Sequence, residues 1–226
     1  WVNDVQVIAH NSTGSVRSVA ISGIRSGRPV VDEVGGVDLQ TALGLPSAVY
    51  EVGVDTRFAD VASGHLFAGE VAGLVELGIT RGCTPTTFCP EELVTRGEMA
   101  AFLVRALDLK PLDGPTDPFT DDDGSVFEAD IEILREHGIT NGCSATEFCP
   151  METVTREEMA AFLVRAFDLP VSTGNSFSDD DGSVFQTEIE SLAASGVTSG
   201  CFRDRFCPSR PVTRGEMATF LVRALA

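Results

Sequence analysis

A block of about 60 residues occurs three times in this chain, and that repetition limits the fold more than any other feature. Cys83, Cys143 and Cys201 lie 60 and 58 positions apart. Each follows a glycine (Gly82, Gly142, Gly200), and each precedes a Phe-Cys-Pro whose cysteine is Cys89, Cys149 or Cys207. Phe58, Phe119 and Phe177 open the copies, Ile79-Thr80, Ile139-Thr140 and Val197-Thr198 stand just before the cysteines, and a Val-Thr-Arg follows them. The natural solution for such a chain is a set of like units stacked on one another, each too small to bury its own apolar face.

Two helices are expected in every copy. Phe67, Val71 and Leu74 are matched by Phe127, Ile131 and Leu134 and by Phe185, Ile189 and Leu192, and steps of four and three place them on one helical face. Gly78, Gly138 and Gly196, each followed by Ile79, Ile139 or Val197, predict a left-handed glycine cap with an apolar residue folded back onto the last turn. The second helix starts at a capping box: Thr95 with Glu98, Thr155 with Glu158, Thr213 with Glu216. Val94, Val154 and Val212 stand in the staple position towards Met99, Met159 and Met217, and the mostly apolar run that follows belongs among other helices.

Three identically spaced cysteine pairs predict three local disulfides, Cys83 with Cys89, Cys143 with Cys149 and Cys201 with Cys207, and hence an oxidising compartment outside the cytoplasm. Zinc held by paired thiolates is the rival, but a structural site takes four ligands and histidine occurs only at 10, 65 and 137. The 34 acidic residues against 16 basic ones give a formal charge of −18, which argues against a nucleic-acid partner. Any anionic ligand must therefore meet locally clustered arginine. No apolar run reaches the roughly 20 residues of a membrane-spanning helix, so membrane insertion is not expected. The chain starts at Trp1, as a mature or excised piece would.

The run from Phe58, with Phe58-Ala59-Asp60-Val61, Gly78-Ile79-Thr80-Arg81-Gly82, Phe88-Cys89-Pro90 and Val94-Thr95-Arg96-Gly97-Glu98, resembles an S-layer homology repeat, and the later copies resemble two more. The resemblance implies a mainly α fold in which three repeats form a pseudo-threefold helical bundle, here with a small β element at the amino-terminal end. It divides the chain into 1–55, 56–112, 113–171 and 172–226. It also implies non-covalent attachment to anionic secondary cell wall polysaccharide on the bacterial surface. The binding residues it implies are Arg96, Arg156 and Arg214 with Glu98, Glu158, Glu216, Gly82, Gly142 and Gly200. An arginine at the first turn of a helix, beside the positive end of the dipole, suits a carboxylate or phosphate. The plainer alternative is that Arg and Glu are only surface charges around a cap. Where family members often carry Trp or Tyr for stacking on sugar this chain has Phe67, Phe127 and Phe185, and the paired cysteines are not part of the general pattern.

Repeats two and three begin with Asp121-Asp122-Asp123-Gly124-Ser125 and Asp179-Asp180-Asp181-Gly182-Ser183. Asp121, Asp123, Asp179 and Asp181 are calcium candidates through alternate oxygens, with Glu132 and Glu190 as distant closing ligands. A turn and helix caps explain the same residues without an ion, and no other cofactor is suggested.

Residues 2–9 and 16–24, dense in β-branched side chains and separated by Asn11-Ser12-Thr13-Gly14, predict a hairpin, with a third strand at 28–34, a short helix at 38–45 and an extended stretch at 48–52. This segment resembles the closing part of the sporulation stage II D, or amidase enhancer, family, whose enzyme-related body would then lie upstream. Three functional classes follow. The repeats hold wall polymer, or the chain self-assembles as a homo-oligomer into a layer or filament, or it is the tether of a wall-remodelling enzyme. Catalysis by these residues themselves is not expected, because no histidine recurs in all copies and no nucleophile has a plausible base beside it.

Overall fold

The computed structural model of the protein describes residues 57–62, 64–112 and 117–225, together with the backbone of three strands at 2–10, 16–25 and 28–35. The chain forms two compact units, Trp1–Gly53 and Val54–Ala226.

In the first unit, β1 (Val2–His10), β2 (Val16–Arg25) and β3 (Arg28–Gly35) form an antiparallel sheet in the order β1-β2-β3. Val5 pairs with Ile21 and Val7 with Val19, and Ile21 pairs in turn with Asp32. The expected strands are therefore present, each within one or two residues of its predicted end. The hairpin turn at 11–14 and the segments expected at 38–45 and 48–52 lie outside the described residues.

In the second unit each repeat contributes a short helix and a longer one. These are α1 (Ala68–Glu76) and α2 (Arg96–Ala106), α3 (Glu128–Glu136) and α4 (Arg156–Ala166), and α5 (Gln186–Ala194) and α6 (Arg214–Leu225). The short helices stop where glycine permits a left-handed turn: Gly78 has φ +71° and the Ile79 amide donates back to the Leu74 carbonyl at 2.8 Å. Ile139 and Val197 make the same bond to Leu134 and Leu192. The long helices begin at complete capping boxes on Thr95 and Thr155, and Thr213 and Glu216 exchange the equivalent pair of bonds.

The long helix of one repeat packs on the short helix of the next: α2 on α3, α4 on α5, and α6 back on α1. The three repeats thus close into a ring. At its centre the valine amides make a cycle, Val94 donating to the Val212 carbonyl, Val212 to Val154 and Val154 to Val94, at 2.9–3.0 Å. The valine side chains, the methionines 99, 159 and 217, and Phe88, Phe148 and Phe206 are fully buried around this cycle. Each such side chain contributes roughly 1.5–3 kcal/mol through the water it leaves. The residues chosen as staple partners are thus in the core, and the ring supplies the burial that no single helix pair could.

The loop between the two helices is rigidly built in all three copies. Disulfides join Cys83 to Cys89, Cys143 to Cys149 and Cys201 to Cys207, with Cα atoms 6.0, 6.0 and 6.1 Å apart. Cys89, Cys149 and Cys207 have φ near +60°, a conformation costly for a residue with a Cβ. An aspartate holds each of them there: Asp60, Asp121 and Asp179 accept the amides of the Phe-Cys pair on their two carboxylate oxygens at 2.7–3.0 Å. Gly82, at φ +82°, has no room for a Cβ, which would lie 2.5 Å from the ring of Phe58. Gly142 and Gly200 are enclosed in the same way by Phe119 and Phe177.

Candidate functional site: the seams between repeats

Each seam is built from the start of one long helix and the cysteine loop of the following repeat. Arg96 donates through Nε to the Phe148 carbonyl at 2.8 Å and through a terminal nitrogen to Glu158 at 3.0 Å. Arg214 repeats this across the ring closure, with the Phe88 carbonyl at 2.8 Å and Glu98 at 2.7 Å. Arg156 donates to the Phe206 carbonyl at 2.7 Å. Every guanidinium also lies over two rings of its neighbour: Arg96 over Phe148 and Phe162, Arg156 over Phe206 and Phe220, Arg214 over Phe88 and Phe102, with centroids 4.7–5.5 Å away.

All three arginines are buried, at 3–4% exposure, so they are not surface charges around a cap. Burial lowers the pKa of Arg96, with Glu158 opposing the shift. Arg156 is pushed down further, to about 10, by burial and then by the nearby Arg210. The helix starts are occupied as well. The amides of Arg96 and Gly97 donate to the carbonyls of Glu152 and Pro150, those of Arg156 and Glu157 to Arg210 and Pro208, and those of Arg214 and Gly215 to Glu92 and Pro90. The dipole end that was expected to face an anion is therefore met by carbonyls of the next repeat. Gly82, Gly142 and Gly200 serve the loop conformation, for the steric reason given above.

The aromatic positions are also part of the seams. Phe127 rests against Gly97, where a Cβ would come within 2.5 Å of the ring, and Phe67 rests against Gly215. These half-buried rings join neighbouring repeats rather than standing free. Glu157 replaces the glycine at the remaining seam, and its carboxylate accepts the Ser183 hydroxyl at 2.5 Å.

The acidic turns divide by position. Asp121 and Asp179 hold loop amides just as Asp60 does in the repeat without an acidic run, while Asp123 and Asp181 are exposed. Asp122 and Asp180, which had no assigned role in the sequence, are both fully buried; the Asp122 carboxylate has no hydrogen-bond partner, and the Asp180 carboxyl faces that of the buried Glu190. The carboxyl of each is raised to about 6, in both cases chiefly by burial. The two acid-and-sulfur clusters among the described residues, Cys83/Cys89/Glu92 and Asp121/Cys143/Cys149, contain disulfide sulfurs and so offer no thiolate pair to a metal.

The family model of the S-layer homology domain matches residues 57–100, 118–160 and 176–218, which is more than half of the chain. The chain belongs to the S-layer homology domain family. It is similar to a surface-layer 125 kDa protein of Lysinibacillus sphaericus, at 30% identity over 82% of this chain and 16% of that one. It is also similar to an S-layer protein of Bacillus thuringiensis subsp. finitimus, at 27% identity over 74% of this chain and 21% of that one. An endoglucanase of Bacillus sp. (strain KSM-635) matches at 34% identity over 49% of this chain and 12% of the enzyme. The chain thus spans about a sixth to a fifth of the length of these S-layer relatives. S-layer homology repeats are cell-surface anchoring units, and membership places this chain at the cell wall or cell surface. No helix among the described residues is long and apolar enough to cross a membrane.

Proposed function

We propose that the three repeats tether the polypeptide carrying them to the bacterial wall by binding an anionic secondary cell wall polysaccharide along the seams of the ring. The single observation that carries this reading is the match of three consecutive copies to the S-layer homology domain, which here close into one ring whose seams present a junction between each pair of repeats. Self-assembly into a layer is the second reading, and two of the relatives are surface-layer proteins. The same kind of segment in a relative named an endoglucanase favours a tether, because an enzyme has no evident need for a layer of its own. On this reading 56–112, 113–171 and 172–226 are the three binding repeats. The strands of the first unit would then close a separate upstream domain of the stage II D, or amidase enhancer, type, making the whole protein a candidate wall-remodelling enzyme.

Removing all three seam arginines together would not isolate binding, because they also join the repeats. Sedimentation of the intact chain with wall sacculi, before and after stripping of the secondary polysaccharide and with the released polymer as competitor, avoids that problem. Binding that disappears on stripping and is competed by the polymer supports the tether. A folded chain that ignores native walls and forms large homo-oligomers supports the layer instead.

A further inference from the structure

Two positions of the repeat change together from copy to copy. Three residues after the opening phenylalanine, and five after the phenylalanine that precedes the short helix, the first repeat has Val61 and Ala72, the second Asp122 and Glu132, and the third Asp180 and Glu190. In the second repeat Glu132 keeps part of its surface in solvent. In the third both acids are buried, Asp180 at 0% and Glu190 at 1% exposure, and their carboxyls face each other. Glu190 Oε1 accepts the Ser176 amide at 2.8 Å. Neither Asp180 oxygen nor Glu190 Oε2 receives a hydrogen bond from an amide or a hydroxyl. The largest charges acting on Asp180 are those of Glu190 and Asp181, both negative. Two carboxylates in contact and out of water cannot both stay ionised unless a cation lies between them; otherwise one of them takes a proton.

The chain passes close beside this pair. Residues 172–176, on the way from α4 to the third repeat, are tied at both ends to α5: the Ser172 amide donates to Ser191 Oγ at 2.9 Å, and the Ser176 amide to Glu190. Gly174 lies between these ties. A Cβ there would stand 3.0 Å from Glu190 Oε2, 3.3 Å from Ser172 Oγ and 3.9 Å from Ser176 Oγ, and apart from its chain neighbours no atom is nearer than these. The place that the glycine leaves open is thus ringed by oxygens, one of them a carboxylate oxygen with no donor. A hard divalent cation takes such a set, with carboxylates for charge and hydroxyls, backbone carbonyls and water completing about six to eight ligands. Residues 173–176 are exposed, so only this irregular strap separates the buried pair from solvent on that side.

We propose that Asp180 and Glu190 bind a calcium ion beneath the strap of residues 172–176, with the hydroxyls of Ser172 and Ser176 as neutral ligands. The ion takes the place of the proton that the pair needs without it, and it fastens the connection between the second and third repeats. The middle aspartate of the acidic turn is the ligand rather than its outer members, since Asp179 already holds the loop amides of Phe206 and Cys207. The site is independent of what the seams bind.

The intact chain, freed of divalent ions with a chelator, is titrated with calcium chloride at about pH 7.5 and followed by calorimetry and by thermal melts. Saturable binding in the range of extracellular calcium modules, with Kd about 10⁻⁴–10⁻³ M, is expected, together with a melting temperature that rises with calcium concentration. Asp180→Val combined with Glu190→Ala gives the third repeat the pair that the first repeat folds with. That variant is expected to melt higher than the wild type in chelator and to be insensitive to calcium, whereas Asp122→Val keeps the calcium response. Gly174→Ala, which fills the place beside Glu190 Oε2, is expected to weaken binding about tenfold. A wild type that shows no response up to about 10 mM calcium overturns the proposal and leaves the pair sharing a proton. A response that survives in the Asp180→Val, Glu190→Ala variant means diffuse binding to an acidic surface and overturns it equally. Unchanged affinity in Gly174→Ala overturns the place assigned to the ion.

Discussion

Arg214 and Glu98 are 116 positions apart in the chain and 2.7 Å apart in the fold, and that ion pair closes the ring of three repeats. Arg96 and Glu158 make the equivalent pair between the first two repeats. Removing one partner of a buried pair leaves the other charge desolvated, which costs about 3–5 kcal/mol in fully buried cases. Glu98 and Glu158 keep a little over a quarter of their side-chain surface, so the lower end applies. Arg214→Ala and Arg96→Ala are expected to lose about 3 kcal/mol in urea denaturation. Arg156→Ala, which orphans a carbonyl but no carboxylate, is expected to lose less. Equal losses at all three would show that the carbonyl and ring contacts, not the carboxylate, dominate.

The rings of Phe127 and Phe67 lie against Gly97 and Gly215, so a methyl group at either glycine has to displace an aromatic side chain. Gly97→Ala and Gly215→Ala are each expected to destabilise by about 1–3 kcal/mol, despite the better helix propensity of alanine. Gly69, on the short helix and with open space where a Cβ would stand, is the control: Gly69→Ala should stabilise by a few tenths to about 1 kcal/mol. Thermal melts of the three variants check the contrast.

Asp122 and Asp180 impose a pH dependence. Their carboxyls titrate near 6 in the fold against an ordinary value of 3.8, so the native state binds more protons than the unfolded chain between those values. Their protonated forms favour folding fully below pH 3.8, and that advantage is lost as pH rises through 6. Three residues after the opening phenylalanine, where repeats two and three have these aspartates, the first repeat has the buried Val61. Asp122→Val and Asp180→Val are therefore expected to raise stability at about pH 7.5 by roughly 1–3 kcal/mol each. The gain should shrink towards about pH 4, where the wild-type carboxyls are neutral. Melting curves from about pH 4 to 8 decide it, and a pH-independent gain would show that the aspartates are not the titrating groups.

Each disulfide closes a loop with a sequence separation of only 6, so the chain-entropy contribution is modest, about 2 kcal/mol. Replacing one pair, for example Cys143→Ser with Cys149→Ser, should lower stability by about that amount and leave the far-ultraviolet circular dichroism unchanged. Asp121 still clamps the loop amides in such a variant. Loss of the helical signal would mean that the disulfide, rather than the aspartate clamp, sets the left-handed turn at Cys149.

Much of this architecture is legible in the residues. Glycine at the end of each short helix, threonine and glutamate at the start of each long one, and cysteines at one spacing act within a few positions of themselves, so pattern alone reveals them. The same holds for the three strands of the first unit, where β-branched density and turn residues agree. The burial of Arg96, Arg156 and Arg214 was not legible, because a capping motif looks alike whether its arginine meets water or the next repeat. Asp122 and Asp180 were hidden inside an acidic run whose outer members have the spacing of metal ligands. A comparison with Val61 was the available signal, since a buried valine in one copy marks an interior position in the others.

The sequence by itself determined the unit, the number of copies and the local chemistry of every turn, because these depend on contacts between near neighbours. The tertiary structure decided which residues meet across the ring. It turned three like arginines into seam residues, gave Glu98 to an arginine 116 positions away, and let Arg210 take the carboxylate that Arg156 would have used. Those outcomes depend on the closure of three repeats around the cycle of Val94, Val154 and Val212, a condition that no single repeat contains.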